Sequence, residues 1–182
     1  MIHDPNLLEG LSARPTECFS GSTFRATRAG LHPLAPSTNG GRWAPAGGPV
    51  VLYTSLEREG ALAEITYHWS RFIPRPSKPA KLHRLTVTAG KTLRLIRTTL
   101  EDLSVPTEGY DGSAYDRTQA IGAAAAFLGC DGILVPSARW HCDNLILFTD
   151  NHGHDPGNSL DVIETETIDW LAWASDKGLL PP

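Results

Sequence analysis

"VVLYTSLEREGALAEITYHW", residues 50–69, runs from an apolar, β-branched stretch directly into a helix-forming one. Residues 50–54 read as a strand, and residues 56–69 as a helix with Leu62, Ile65 and Trp69 on one stripe. A strand that feeds a helix is also how a dinucleotide-binding βα unit begins. There, however, the turn carries G-x-G-x-x-G, so that backbone can approach a pyrophosphate. No such fingerprint follows this strand or any other, and a Rossmann fold is unsupported. Working outward, further strand-like runs occur at 23–27, 82–87, 92–96, 132–135, 145–148 and 160–164. Two more helices are expected, at 114–128 around the run AIGAAAAFLG and at 167–177 with Ile168, Leu171 and Trp173. Strands outnumber helices and do not alternate with them regularly. The expected class is therefore α+β, in a single domain over residues 1–182 that ends in a strand and helix over 160–182.

With 182 residues, 41% of them hydrophobic and 20% charged, the chain can bury a core without disulfide or metal staples. A net charge of −4 argues against a direct nucleic-acid ligand, because phosphate binders usually carry a basic surplus. Cys18, Cys130 and Cys142 are odd in number, widely spaced and without a C-x-x-C pair, so a reducing cytoplasm is the expected compartment. The opening MIHDPNLLEG has no basic, apolar leader, and no window is long and apolar enough to span a membrane. Pro- and Gly-rich clusters at 29–49 and 73–79 and a polar run at 150–159 read as loops within the domain.

Several places could hold chemistry. The loop NGGRWAPAGG, residues 39–48, sets Arg42 and Trp43 among four glycines. A guanidinium fork suits phosphate or carboxylate, and glycines let backbone approach a ligand closely. The plainer alternative is a surface loop whose Trp plugs the core. Glu64 leaves the apolar stripe of its helix and lies over Gly60 and Ala61, either as a solvated carboxylate or as one that faces a ligand. Tyr53, on the strand before that helix, could stack on a flat ring or simply pack. In GILVPSARWHCDNLILF, residues 132–148, Ser137 and Asn144 fall at strand ends that face a common edge. Turn residues that satisfy backbone would look the same. His141, His152, His154 and Asp155 could ligate a transition metal, although H-x-H in a polar loop lacks a strong metal signature.

Taken in order, these pieces resemble the RES domain, named for its Arg, Glu and Ser. The matching stretches are FRAT around Arg25, GGRWAPAG around Arg42, VLYTS around Tyr53 and ALAEITYH around Glu64. DRTQAIGAAAAFLGCDGILVPSA, ending near Ser137, and NLILF after Asn144 complete the set. The resemblance spans roughly residues 18–150, and its specificity lies in the ordered set. One departure is Ala44, where the family often has Asn in G-R-W-N-P.

The resemblance implies a fold like that of the ADP-ribosyltransferase toxins, a mixed, split β-core with flanking helices that binds NAD without a Rossmann motif. It implies a toxin of a bacterial toxin–antitoxin pair that breaks the nicotinamide–ribose bond of NAD. ADP-ribose then passes to water, to phosphate or to a protein target. The partner it implies is an antitoxin with an Xre-like helix-turn-helix domain. On this reading NAD is a substrate and no metal is needed. Arg25 and Arg42 are expected at the diphosphate, and Glu64 under the developing positive charge on the ribose. Tyr53 is expected at the nicotinamide ring, Ser137 at the nicotinamide end or a phosphate, and Asn144 as support. Two alternatives stand beside it: a nucleotide- or antitoxin-binding module without turnover, and a metal-dependent hydrolase. The C-terminal helix, with Trp170 and Trp173, could dock on the domain itself, on a second copy as a homodimer, or on an antitoxin.

Overall fold

The computed structural model describes residues 3–180. Its strands are β1 (Thr16–Arg28), β2 (Val51–Ser55), β3 (Ala80–Arg94), β4 (Gly132–Pro136), β5 (Asp143–Phe148) and β6 (Ser159–Ile168). Its helices are α1 (Pro5–Ser12), α2 (Arg58–Trp69), α3 (Arg97–Asp102), α4 (Asp116–Phe127), α5 (Thr149–His154) and α6 (Trp170–Asp176). The class is α+β, as expected, with six strands in the order β1-β2-β5-β4-β3-β6 and an added β1–β3 pairing.

That order hides a split. β1, β3 and β6 form one antiparallel sheet, and β2, β5 and β4 another. The two join at two corners only: β3 pairs parallel with β4 over residues 92–94, and β1 meets β2 at the single pair Phe24↔Ser55. Between the sheets lie Leu52, Leu85, Val87, Ala89, Leu134, Leu145 and Leu147. The outer face of β2-β5-β4 is covered by α1, α3, α4 and Trp43 in a second core. α2 and α6 cover the other sheet through Leu62, Leu82, Ile65 and Trp170. This is the mixed, split β-core that the resemblance implies, consistent with an ADP-ribosyltransferase-like fold.

Several elements differ from expectation, each for a physical reason. The run at 82–87 and most of that at 92–96 are one strand, β3, because β1 pairs with both stretches and holds Ala89 opposite Phe19, while Gly90 N donates to Asn158 Oδ1. α1 was not expected; Asp4 caps it by accepting from Asn6 N, and Pro5 occupies its first turn, where a missing N–H costs nothing. The polar run at 150–159 begins with α5 rather than a loop, because Asn151 and His152 turn inward to bond backbone carbonyls. The C-terminal helix starts at Trp170, since residues 167–168 still pair with β3. Its Trp170 is 1% exposed, stands edge-on to Trp69 at 5.4 Å, and donates Nε1–H to Pro76 O. α6 therefore docks on its own domain. Among the described residues no helix is long and apolar enough to cross a membrane.

Candidate active site

The split opens a cavity of about 500 Å³ between β1, β2, α2 and the glycine loop. Past the Phe24↔Ser55 pair the backbones of β1 and β2 separate, and Arg25 bridges the gap. Its Nη1 donates to Tyr53 O at 3.0 Å and its Nη2 to Ala35 O at 2.7 Å. Burial lowers its pKa to about 10, which still leaves a cation at neutral pH. Its Nε is buried with no partner. Arg25 thus lines the cavity as expected, but one donor ties β1 to β2 and another holds the loop at Ala35.

The loop at 39–48 is anchored from below. Trp43 is 2% exposed and packs in the core. Its amide donates to Tyr53 Oη at 3.2 Å, and Gly41 lies so close to that hydroxyl that a Cβ there would stand 2.6 Å from it. Burial pushes the Tyr53 phenol up to about 12, so it stays protonated. Tyr53 lines the cavity while it carries the loop. α4 supports the loop from the other side. Gln119 Nε2 donates to Gly41 O, and a Cβ on Gly122 would fall 1.9 Å from Trp43 O. Arg42 is held in turn: its Nη2 donates to Gly112 O at 3.0 Å, and its guanidinium lies over the rings of Tyr110 and Tyr115.

Glu64 faces the opposite wall. Its Oε1 accepts from Asn144 Nδ2 at 2.9 Å and from Ser137 Oγ at 3.1 Å. Val135↔Asn144 register on the β4–β5 hairpin brings those two residues side by side, the common edge the sequence indicated. The Ser137 hydroxyl also accepts from the amides of Arg139 and Trp140. Its hydrogen and both lone pairs are used, so its contribution passes through Glu64. Among the described residues nothing hydrogen-bonds Glu64 Oε2, which is left to the cavity. The helix face differs from expectation in one respect. Ala61 lines the cavity, but Gly60 presses on the β-core, where a Cβ would meet Cys142 Sγ at 2.5 Å.

All six residues expected at the site converge except that Ser137 sits behind Glu64 rather than on the cavity wall. Residues the sequence did not single out line it too: Arg28, His68, Tyr115 and Arg139. The i+4 spacing of His68 from Glu64 was a usable signal, and Arg28 ends β1 three residues past Arg25; Tyr115 and Arg139 come from distant loops. The walls carry four arginines and one carboxylate, in a chain of net charge −4. The His/Asp alternative finds no such convergence. His152 Nε2 donates to Thr88 O, His154 turns to Asp150 O, His141 is exposed, and Asp155 accepts from Gly157 N. Among the described residues no three His, Cys, Asp or Glu side chains could hold a metal together. Cys142 and His141 lie in the turn before β5, and burial raises the Cys142 thiol to about 11.

The RES domain family model matches residues 16–170. The chain belongs to the RES domain family. No protein of curated function matches its sequence. This RES domain is also similar in structure to a chain in the crystal structure of the M. tuberculosis MbcT–MbcA toxin–antitoxin complex. The TM-score is 0.77 at 22% identity, over 94% of this chain and 97% of that one. At that identity the likeness is one of fold. Arg25, Arg42 and Glu64 stand around one cavity, with Ser137 directly behind Glu64.

Proposed function

We propose that this protein is the toxin of a toxin–antitoxin pair, an enzyme that cleaves the nicotinamide–ribose bond of NAD. The observation that carries the reading is Glu64: one carboxylate oxygen anchored by two donors, the other turned to a cavity of arginines. A site built only to hold an anionic ligand gains nothing from a carboxylate on its wall. A site that must stabilise a positive charge appearing on a ribose does, because that charge exists only in the transition state. The family, and the toxin–antitoxin complex with the same fold, support the same reading.

In this mechanism the arginines bind and the carboxylate reacts. Arg42 faces the diphosphate of NAD, and Arg25 contributes its charge from the cavity wall. Glu64 stabilises the oxocarbenium-like carbon as nicotinamide departs, much as a glycosidase carboxylate does. Tyr53 and Tyr115 supply flat surfaces for a ring. A volume of about 500 Å³ lies within the usual range for a small-molecule site. ADP-ribose then passes to the acceptor: water, inorganic phosphate or a protein side chain. The partner is an antitoxin, expected to carry an Xre-like helix-turn-helix domain, that covers this cavity.

The test is product analysis. Purified protein is incubated with NAD, with and without inorganic phosphate and with EDTA, and Glu64→Ala runs beside it. Nicotinamide, ADP-ribose and ADP-ribose phosphate are separated by chromatography. The expected result is nicotinamide release that survives EDTA and is lost in Glu64→Ala, and the second product names the acceptor. Equal turnover by Glu64→Ala would remove the carboxylate from the mechanism.

A further inference from the structure

Ser55, the last residue of β2, does not touch Glu64, yet it decides how Glu64 is held. Its Oγ lies 2.6 Å from Asn144 Oδ1, and Asn144 Nδ2 lies 2.9 Å from Glu64 Oε1. An ionised carboxylate only accepts, so the amide must turn its NH₂ toward Glu64 and its Oδ1 toward Ser55. Ser55 must then be the donor. Ser55 is 2% exposed, and Asn144 is buried as well. Without the hydroxyl, Oδ1 would be buried and unpaired, and the amide would no longer be fixed in the orientation Glu64 needs.

The position of Ser55 in the fold makes this consequential. It is the only β2 residue in register with β1, through Phe24, and it also pairs with Asn144 on β5. It therefore stands at the corner where the two sheets join. α2 packs against it closely: a Cβ on Gly60 would lie 3.2 Å from Ser55 Cβ and Oγ. We propose that Ser55 is a positioning residue. Its hydroxyl fixes the Asn144 amide, which anchors Glu64 Oε1 and leaves Oε2 on the cavity. The inference rests on the reading of Glu64 as the catalytic carboxylate. Ser137 provides a second anchor at 3.1 Å, so loss of Ser55 weakens the device without abolishing it.

Three variants test this: Ser55→Ala, Asn144→Ala and the double variant. Ser55→Ala keeps the Cβ that packs beside Gly60 and removes only the hydroxyl. The expected result for Ser55→Ala is a kcat for nicotinamide release lowered about tenfold, with KM for NAD within about twofold of wild type. The double variant should be no worse than Asn144→Ala alone, since both substitutions break one chain. Losses that multiply, or a KM that rises as kcat falls, would overturn the proposal. A second measurement needs no activity: the Asn144 side-chain amide pair in ¹⁵N NMR. It should exchange slowly with solvent in wild type and shift or broaden in Ser55→Ala. Fast exchange in wild type, or a pair unchanged by the substitution, would overturn the proposal. Wild type that releases no nicotinamide would sink the functional reading, while the amide pair would still decide the role of Ser55. Should Ser55→Ala fail to fold, exchange in wild type decides it.

Discussion

Individual side chains in the cavity are held before any ligand arrives. Arg42 lies over Tyr110 and Tyr115 with one donor on Gly112 O, so its fork is fixed rather than free to rotate. Fixing it in advance lowers the ordering cost of binding. A lysine keeps the charge but cannot stack as a plane or bond in two directions. Arg42→Lys is therefore expected to raise KM for NAD by about tenfold or more, on the scale of a lost charged hydrogen bond. Titration calorimetry with NAD on the Glu64→Ala background would check it, and unchanged affinity would mark Arg42 as structural. Arg42, Glu64 and Tyr53 were legible as candidates because their residue types and spacing are unusual. That Ser137 serves Glu64 was not legible, since a hydroxyl's partner depends on which strand ends meet.

At the level of elements, the position of the glycine loop depends on α4. Gly122 sits in the middle of a run of strong helix formers, where alanine would be the better helix residue by about 1 kcal/mol. Packing overrides that preference, because Trp43 O occupies the space a Cβ would need. Gly122→Ala is expected to destabilise the fold by about 1–3 kcal/mol through overpacking and to displace the loop that carries Arg42. Urea denaturation and the KM for NAD, measured together, would check it. Higher stability with normal KM would show that the loop tolerates the methyl group. The sequence placed α2 and α4 well because each is a twelve-residue run rich in strong helix formers. It missed α1, α3 and α5, which are only six to eight residues long, too short to show more than one or two turns of a period.

For the molecule as a whole, pH acts through a histidine far from any loop. His83 is 3% exposed on β3, bonded to Thr27 Oγ1 at 2.9 Å and Thr165 Oγ1 at 2.8 Å. Burial, aided by the nearby charges of Arg25 and Lys81, lowers its pKa. The unfolded chain, with histidine near about 6.5, therefore binds a proton first as pH falls. Stability is full above that value and declines as pH drops below it toward the folded pKa. The expected outcome is a Tm that falls between about pH 7 and pH 5, and falls less in His83→Gln. Scanning calorimetry across that range would check it; an identical fall in both proteins would assign the effect to other groups.

The sequence by itself determined the class, the family and the residue types that crowd the cavity. Those follow from local pattern: β-branched runs, two long helix-forming runs, and an ordered set of short motifs. Only the tertiary structure decided that β3 is continuous, that the sheets part after Phe24↔Ser55, and that Arg25 spans the opening. It also decided that Glu64 offers one oxygen and keeps the other anchored. The reason is physical. Side-chain hydrogen bonds at this site join residues as far as 91 positions apart, and no local pattern records which distant partner a buried polar group will find.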